Sequence, residues 1–324
     1  MAYTEIDDPS AYFQAKLHTG TGSEQAVSGI GFAPNWVWIK SRSDAHDHFI
    51  HDTVRGATKR LNSLNTDAEA TVAEGLKSFD SDGFTMGTNG NINEDDETFV
   101  SWNWKETADA GFDIVSYTGS GSAKTVAHNL GVKPDVIICK SRSGVEEWRP
   151  YFSALGATYA MRLNGTNTKD DDAGYWNDVE PTSSVFTVGT NAGTNGSSVT
   201  FIAYCFSAKQ GYSKFGSYKG NDNANGTFVY LGFSPAWIMI KRTDSVNDWI
   251  ILDNKRNPIN PSNERILANT NAAASTANTM VDFLSNGFKP RSTYGGINSA
   301  NNFIYMAFAE QPFVTSTGVP ATAR

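Results

Sequence analysis

The sequence predicts an all-β protein of three tandem β-sandwich, jelly-roll-like units of about 100 residues each, in a pseudo-threefold relation. Three observations carry this. The first is a recurring motif. Gly31-Phe32-Ala33-Pro34-Asn35-Trp36-Val37-Trp38-Ile39-Lys40 returns as Gly131-Val132-Lys133-Pro134-Asp135-Val136-Ile137-Ile138-Cys139-Lys140. It returns again as Gly232-Phe233-Ser234-Pro235-Ala236-Trp237-Ile238-Met239-Ile240-Lys241. Pro34, Pro134 and Pro235 are therefore repeat positions, 100 and then 101 residues apart. The second is a later motif at a spacing of 102, Thr98-Phe99-Val100-Ser101-Trp102-Asn103-Trp104. It matches Thr200-Phe201-Ile202-Ala203-Tyr204-Cys205-Phe206 and Asn302-Phe303-Ile304-Tyr305-Met306-Ala307-Phe308. The third is the texture between the motifs: short apolar runs rich in Val, Ile, Phe, Trp and Tyr, separated by Gly, Asn, Asp and Ser, which are strand and turn signals.

These offsets divide the chain into 1–109 (a unit with a short N-terminal arm), 110–212, 213–313, and an extended tail 314–324. Each unit opens alike, with Phe13 to Gly20, Phe112 to Gly119, and a shortened Phe215 to Gly220. Alternation along a strand puts Trp36, Trp38 and Lys40 on one face and Val37 and Ile39 on the other. By the same rule Val100, Trp102 and Trp104 oppose Phe99, Ser101 and Asn103. Phe99, Phe201 and Phe303 are expected in the core, being fixed points of the most apolar strand. One short helix is considered over Asp67 to Leu76, with Asp67 as N-cap. Periodicity does not choose between three separate sandwiches and one closed assembly.

The chain has 324 residues, 39% hydrophobic, and a net charge of -8. No basic stripe is present, so nucleic acid is not an expected partner. No run of 18 apolar residues suggests a membrane span. The N-terminus lacks the basic and apolar regions of a secretory signal. Cys139 and Cys205 both sit in apolar runs and are expected as buried thiols.

Asp52 and Arg55 in the first unit match Asp253 and Arg256 in the third, while the second has Phe152 and Leu155; each pair is expected to hold its own unit's turn together by a charge-assisted hydrogen bond. The repeated Pro-x-Trp-Val-x-Ile-Lys segment, this Asp-x-x-Arg, Asp82-Gly83-Phe84, and Phe99-Val100-Ser101-Trp102-Asn103-Trp104 together resemble a domain of unknown function found in tail-associated virion proteins of marine and environmental bacteriophages. The ending from Phe313 to Arg324 is similar to that of such proteins. The resemblance implies a tail-associated virion component and carries no chemistry across.

Among candidate sites, His46 and His48 could share a metal, but Trp148 and Trp249 stand at the His48 position, which points to packing instead. Asp80 and Asp82 could form a glycosidase pair, but their counterparts lack acids, so a turn is expected. Asp170-Asp171-Asp172 lacks the spaced ligands of a calcium loop. No phosphate loop, nucleophile elbow or zinc-protease helix is present. No catalytic residue, cofactor or metal is therefore assigned. Lys40, Lys140 and Lys241 are expected to reach solvent. Tyr175 and Trp176, in a polar loop of the second unit, are the candidate receptor site, as exposed aromatics on which a host cell-surface glycan could stack.

The expected function is that of a non-enzymatic bacteriophage virion structural protein, of the fibre, baseplate or adhesin kind, acting by surface contact. Its expected partners are other virion proteins and further copies of itself, with the tail ordered by packing on another unit or another copy, or else folded back on its own third unit. The alternatives are a carbohydrate-active enzyme of the phage tail and a lectin-like or capsid-decorating binding protein.

Overall fold

The computed structural model describes residues 4–320. In the first segment the strands are β1 (Phe13–Thr19), β2 (Gln25–Ser28), β3 (Trp36–Ser41), β4 (Phe49–Asp52), β5 (Lys59–Arg60), β6 (Ala70–Thr71), β7 (Leu76–Asp80), β8 (Gly83–Met86) and β9 (Thr98–Trp104). The second holds β10 (Phe112–Thr118), β11 (Lys124–Ala127), β12 (Val136–Ser141), β13 (Arg149–Phe152), β14 (Tyr159–Ala160), β15 (Asp170–Asp171), β16 (Val185–Val188) and β17 (Thr200–Phe206). The third holds β18 (Ser213–Lys219), β19 (Val229–Tyr230), β20 (Phe233–Arg242), β21 (Ile250–Asp253), β22 (Ile266–Leu267), β23 (Val281–Leu284), β24 (Gly287–Pro290) and β25 (Asn302–Pro312). Helix is confined to short turns, among them α1 (Gly90–Asn93), α2 (Ala173–Trp176) and α3 (Ala192–Asn195). The protein is all-β.

Three antiparallel sheets share one strand order: β1-β9-β3-β4, β10-β17-β12-β13, and β18-β25-β20-β21 with β22 added at the edge. Against each lies a smaller sheet, β2-β8-β7, β11-β16 and β19-β24-β23 respectively. Alternation along the central strands decides how they pack. Val37, Ile39 and Phe99 turn outward and join Val27, Phe84 and Met86 of the smaller sheet in one apolar cluster. Ile137, Cys139 and Phe201 do the same with Val126 and Phe186, and Ile238, Ile240 and Phe303 with Val281, Phe283 and Phe288. Each pair of sheets is a sandwich.

The opposite faces meet in a common core. Trp36, Trp38, Trp102 and Trp104 of the first sheet lie in one cluster with Ile138, Tyr204 and Phe206 of the second and Trp237, Met306 and Phe308 of the third. The Trp36 ring stacks on Tyr204 at 4.6 Å between centroids, Trp104 meets Trp237 edge-on at 5.7 Å, and Phe206 meets Phe308 at 5.8 Å. Such ring pairs add about 0.5–1.5 kcal/mol each beyond the area they bury. The choice left open by the sequence falls to one closed assembly, because the sheets bury both faces and share the inner one.

Phe99, Phe201 and Phe303 are all fully buried. Each is stacked by a ring from the first strand of its sheet: His18 at 5.2 Å, Tyr117 at 5.1 Å and Tyr218 at 5.0 Å. Pro34 and Pro134 lie two residues before their strands, whereas Pro235 lies inside β20, where the register with β25 shifts. That irregularity accommodates proline in an inner strand because a bulge removes the ladder bond that its missing N–H would have made.

Two expectations need correction. The segment from Asp67 to Leu76 is not a helix; it holds β6 and the start of β7. Its backbone is drawn out by the neighbouring segment, with the Glu69 N–H donating to the Arg142 carbonyl at 2.7 Å. The tail, expected on another unit or another copy, bonds within this chain to both its own third segment and the arm of the first. β25 runs through Gln311 and Pro312, Phe313 N–H donates to the Gly232 carbonyl at 3.0 Å, and Val314 bridges Pro320. Ser316 N–H then donates to Asp7 Oδ1 at 2.6 Å. The tail thus folds on its own third segment and is tied to the N-terminal arm of the same chain; residues 321–324 of the tail lie outside the described residues.

Candidate functional site

The densest polar chemistry lies along the three seams where the sheets meet. Between the first and second segments, Tyr204 donates its hydroxyl to Asp52 Oδ2 at 2.7 Å, and the Trp148 indole N–H donates to the Asn62 carbonyl at 2.8 Å. Between the third and first, Trp102 Nε1 donates to Asp253 Oδ2 at 2.9 Å. There His48 Nε2 lies 3.0 Å from the Leu267 carbonyl and 3.1 Å from that of Thr270. Between the second and third, Trp249 Nε1 donates to the Arg162 carbonyl at 2.8 Å, and Phe152 stacks on Trp249 at 6.1 Å.

The Asp and Arg pairs do what the sequence suggested and something more. Arg55 donates Nε to Asp52 Oδ2, and its backbone N–H reaches Oδ1 at 2.8 Å. Arg256 donates to Asp253 in the same way, at 2.6 and 2.8 Å. All four side chains are wholly removed from solvent. A buried carboxylate must have its lone pairs filled, and the indole or phenol from the next sheet completes the set. The second segment, with Phe152 and Leu155, faces a sheet that carries Met306 where the others carry Trp102 and Tyr204. Methionine cannot donate, so an apolar partner is the one that fits there.

Outer clasps reinforce the seams. Arg142 forks onto Glu69 at 2.9 and 3.2 Å and Arg42 onto Glu264 at the same distances. At the matching place in the third segment, Arg242 turns to Asp244 of its own loop, at 3.5 Å. Backbone bonds run across all three seams, from Glu69 to Arg142 at 2.7 Å, Ala274 to Arg42 at 2.9 Å, and Lys169 to Thr243 at 2.9 Å.

Lys40, Lys140 and Lys241 were expected at the surface, but all three are buried. Lys140 Nζ donates to the Thr66 carbonyl across the seam at 3.2 Å, and Lys241 Nζ to Thr166 at 3.2 Å. Lys40 Nζ donates to the carbonyls of Ser41 at 2.8 Å and Asp44 at 3.2 Å. Burial lowers each ammonium to a pKa of about 8, since removing the charge from water costs more than carbonyl dipoles return.

His48 is engaged on both ring nitrogens. Trp38 Nε1 donates to Nδ1 at 2.7 Å, so the proton sits on Nε2 and faces the two carbonyls. Burial holds its pKa down at about 3. His46 and His48 both precede strand β4, and His46 stacks on Phe99 at 6.4 Å while His48 lies against Trp38, so the two histidines do not share a strand face. Asp82 caps the turn at Gly29 and Gly31, accepting from their N–H groups at 3.0 and 2.6 Å. Asp80 instead accepts from Ser78 and Thr85. Asp172 is the N-cap of α2 and accepts from Gly174. Both cysteines are free and buried.

The proposed receptor aromatics are not exposed. Tyr175 and Trp176 are 4% and 2% accessible and belong to the outer core of the second segment. Trp176 meets Tyr151 edge-on at 5.8 Å, and Tyr175 donates to Asp170 at 2.9 Å under the Arg149 guanidinium. α2 turns both rings inward because Asp172 caps it and Asn177 closes it in the left-handed conformation. Two of the polar neighbours that made the loop look exposed, Asp172 and Asn177, are caps.

A feature missed in the sequence is a buried asparagine in each segment. Asn93, Asn195 and Asn298 each donate Nδ2 to two carbonyls, one of them in the loop after the opening strand. Their Oδ1 atoms accept from Thr21, Ser120 and Asn221. Gly20, Gly119 and Gly220 sit so close to the residue after each asparagine that a Cβ would meet the carbonyl oxygen of Glu94, Gly196 and Ser299 at 1.9, 2.2 and 2.0 Å. The spacing of these asparagines, 102 and 103 residues, was the signal available.

Fold and site define an all-β protein of three sandwiches closed on one core by polar seams. The chain belongs to the DUF7483 family, a domain of unknown function, whose profile matches residues 8–312 and so spans all three sheets. Searches of curated proteins and of solved structures found no match.

Proposed function

We propose that the protein is a non-enzymatic structural component of a bacteriophage particle, tail-associated, which works by surface contact with other virion proteins and further copies of itself. On this reading its three segments are copies of one unit, closed into an internal trimer. The observation that carries it is where the charged chemistry has gone. Asp52, Arg55, Asp253, Arg256 and the three strand-end lysines are buried and bonded at or beside the seams, where they serve cohesion and register. A body held this way keeps its outer loops in fixed relation, which is what a lattice or fibre component requires. The resemblance of the repeated motifs to virion proteins supplies the particle.

The test is to fractionate phage particles from cultures that produce the chain on a density gradient and probe them with an antibody raised against it. Co-migration with the particle at a fixed ratio to the tail proteins is expected. Its absence from intact particles, with the chain present in the lysate, would overturn the proposal.

A further inference from the structure

A polar cavity of about 110 Å³ opens in the second segment, lined by Arg149, Arg162, Asn167, Thr168, Lys169 and Asp170. Arg149 stands opposite Cys139 in the β12–β13 ladder. The same register position holds Phe49 in the first sheet and Ile250 in the third. A guanidinium therefore replaces an apolar side chain in one segment alone, and at a site only 6% accessible.

Its charge is poorly matched from within. Arg55 and Arg256 each donate Nε to a fully buried carboxylate. Arg149 instead reaches Asp170 through Nη1 at 3.4 Å, and that carboxylate is 44% exposed and shared with Tyr175. The Nε–H groups of Arg149 and Arg162 are buried without a hydrogen-bond partner in the protein. Lys169 has its ammonium over the Tyr159 ring, 3.7 Å from the centroid. Glu147 draws on Arg162 from outside the lining, at 3.5 Å. The walls hold three cations and one carboxylate, in a chain whose net charge is -8.

We propose that this cavity binds a single small oxyanion, a carboxylate or sulfate group, held by the guanidinium groups of Arg149 and Arg162 with Lys169 at the rim. Guanidinium N–H groups match the geometry of such an anion. At about 110 Å³ the site is smaller than the cavity of about 150 Å³ that admits a benzene ring, so it has room for one such group and not for a sugar ring. The anion comes either free from solution or as the acidic substituent of a saccharide that lies outside the cavity.

Calorimetric titration of the full chain with sodium sulfate, sodium phosphate and sodium glucuronate, at ionic strength fixed with chloride, tests this. Binding of at least one is expected, with affinity at least tenfold lower in Arg162→Gln and unchanged in Lys133→Gln, which removes a remote surface cation. Arg162 offers only its backbone carbonyl to Trp249, so the substitution leaves that seam bond in place; a parental melting curve checks this, and Lys169→Gln serves as the second variant. Sulfate or phosphate without glucuronate identifies a free ion, and glucuronate identifies the acidic saccharide. No binding above chloride, an unchanged affinity in both cavity variants, or an equal loss in Lys133→Gln would overturn the proposal.

Discussion

Tyr204 donates its hydroxyl to the carboxylate of Asp52 across 152 positions of sequence, at 2.7 Å, and both side chains are fully buried. The same oxygen, Oδ2, accepts from Arg55 Nε. Tyr204→Phe leaves the ion pair in place but strips one donor from a buried carboxylate. A loss of about 1–3 kcal/mol is expected, as for a hydrogen bond to a charged group. Urea denaturation of Tyr204→Phe, Asp52→Asn and the double variant should give a coupling energy of about 0.5–3 kcal/mol. Strictly additive losses would show that the bond contributes nothing across the seam.

The second segment should reject the aspartate that its neighbours use. In Phe152→Asp the new carboxylate has Leu155 where the others have arginine and Met306 where they have a donor. An unpaired buried charge of this kind costs about 3–5 kcal/mol. Adding Leu155→Arg and Met306→Tyr supplies both missing partners and should recover part of that loss. Urea midpoints of the single and triple variants test it; a triple variant less stable than the single one would refute the matching of Asp to donor.

Acid should destabilise the protein through its histidines. His18 has its pKa held at about 4, and His48 and His51 at about 3, by burial. An unfolded histidine takes up its proton near pH 6.5, so the unfolded chain binds more protons than the folded one below that pH. Stability is therefore full above about 6.5 and falls as pH drops toward 3–4, each histidine contributing up to about 1.4 kcal/mol per pH unit. Protonating His48 would also break its acceptor bond from Trp38. Stability curves from pH 7 to 4 should fall less steeply in His48→Asn than in the parent; parallel curves would count against a buried neutral His48.

Mild alkali should act in the opposite sense. Lys40, Lys140 and Lys241 have folded pKa values near 8, below the unfolded value of 10.5. Between these values the unfolded chain holds the protons, so stability rises with pH from about 8. The window closes near pH 10, where buried Tyr204 and Tyr218, their pKa raised by burial, begin to favour the ionised unfolded state. Lys241→Met should shrink the rise by about a third when melting temperatures are compared at pH 7.5 and 9.5. An identical rise in the variant would show that Lys241 keeps its ordinary pKa.

Phe201 should be a cornerstone of the second sandwich, since it is fully buried and stacked by Tyr117. Phe201→Ala is expected to cost about 3–5 kcal/mol. A melting curve superposable on the parent's would remove it from the core.

Much of the fold was legible because strand alternation is a local property. The side chains of Trp36 through Ile39 fall on two faces by the geometry of a single strand, and the constant offsets of Pro34, Pro134 and Pro235 and of Phe99, Phe201 and Phe303 placed like strands in like positions. The Asp52–Arg55 and Asp253–Arg256 bonds span three residues, and they too could be read from the chain. Tyr175 and Trp176 misled because local polarity was taken for exposure. Asp172 and Asn177 are polar because they cap and close a turn, Asp170 because it accepts from Tyr175, and a cap holds its aromatic neighbours inward as readily as outward.

By itself the sequence determined the class, the strand-forming stretches, their inward and outward faces, and the residues that fill them, all of which follow from backbone geometry and hydrophobic period. Tertiary structure alone decided that the inner faces meet one another, because an alternating strand specifies that a face is buried and not what covers it. It decided equally that three strand-end lysines lie inside, that Glu69 draws a would-be helix into an extended seam, and that Asp52 finds its last donor on Tyr204. Each of these depends on a partner a hundred or more positions away along the chain, or on a neighbouring segment closing over it, and no local period encodes such a partner.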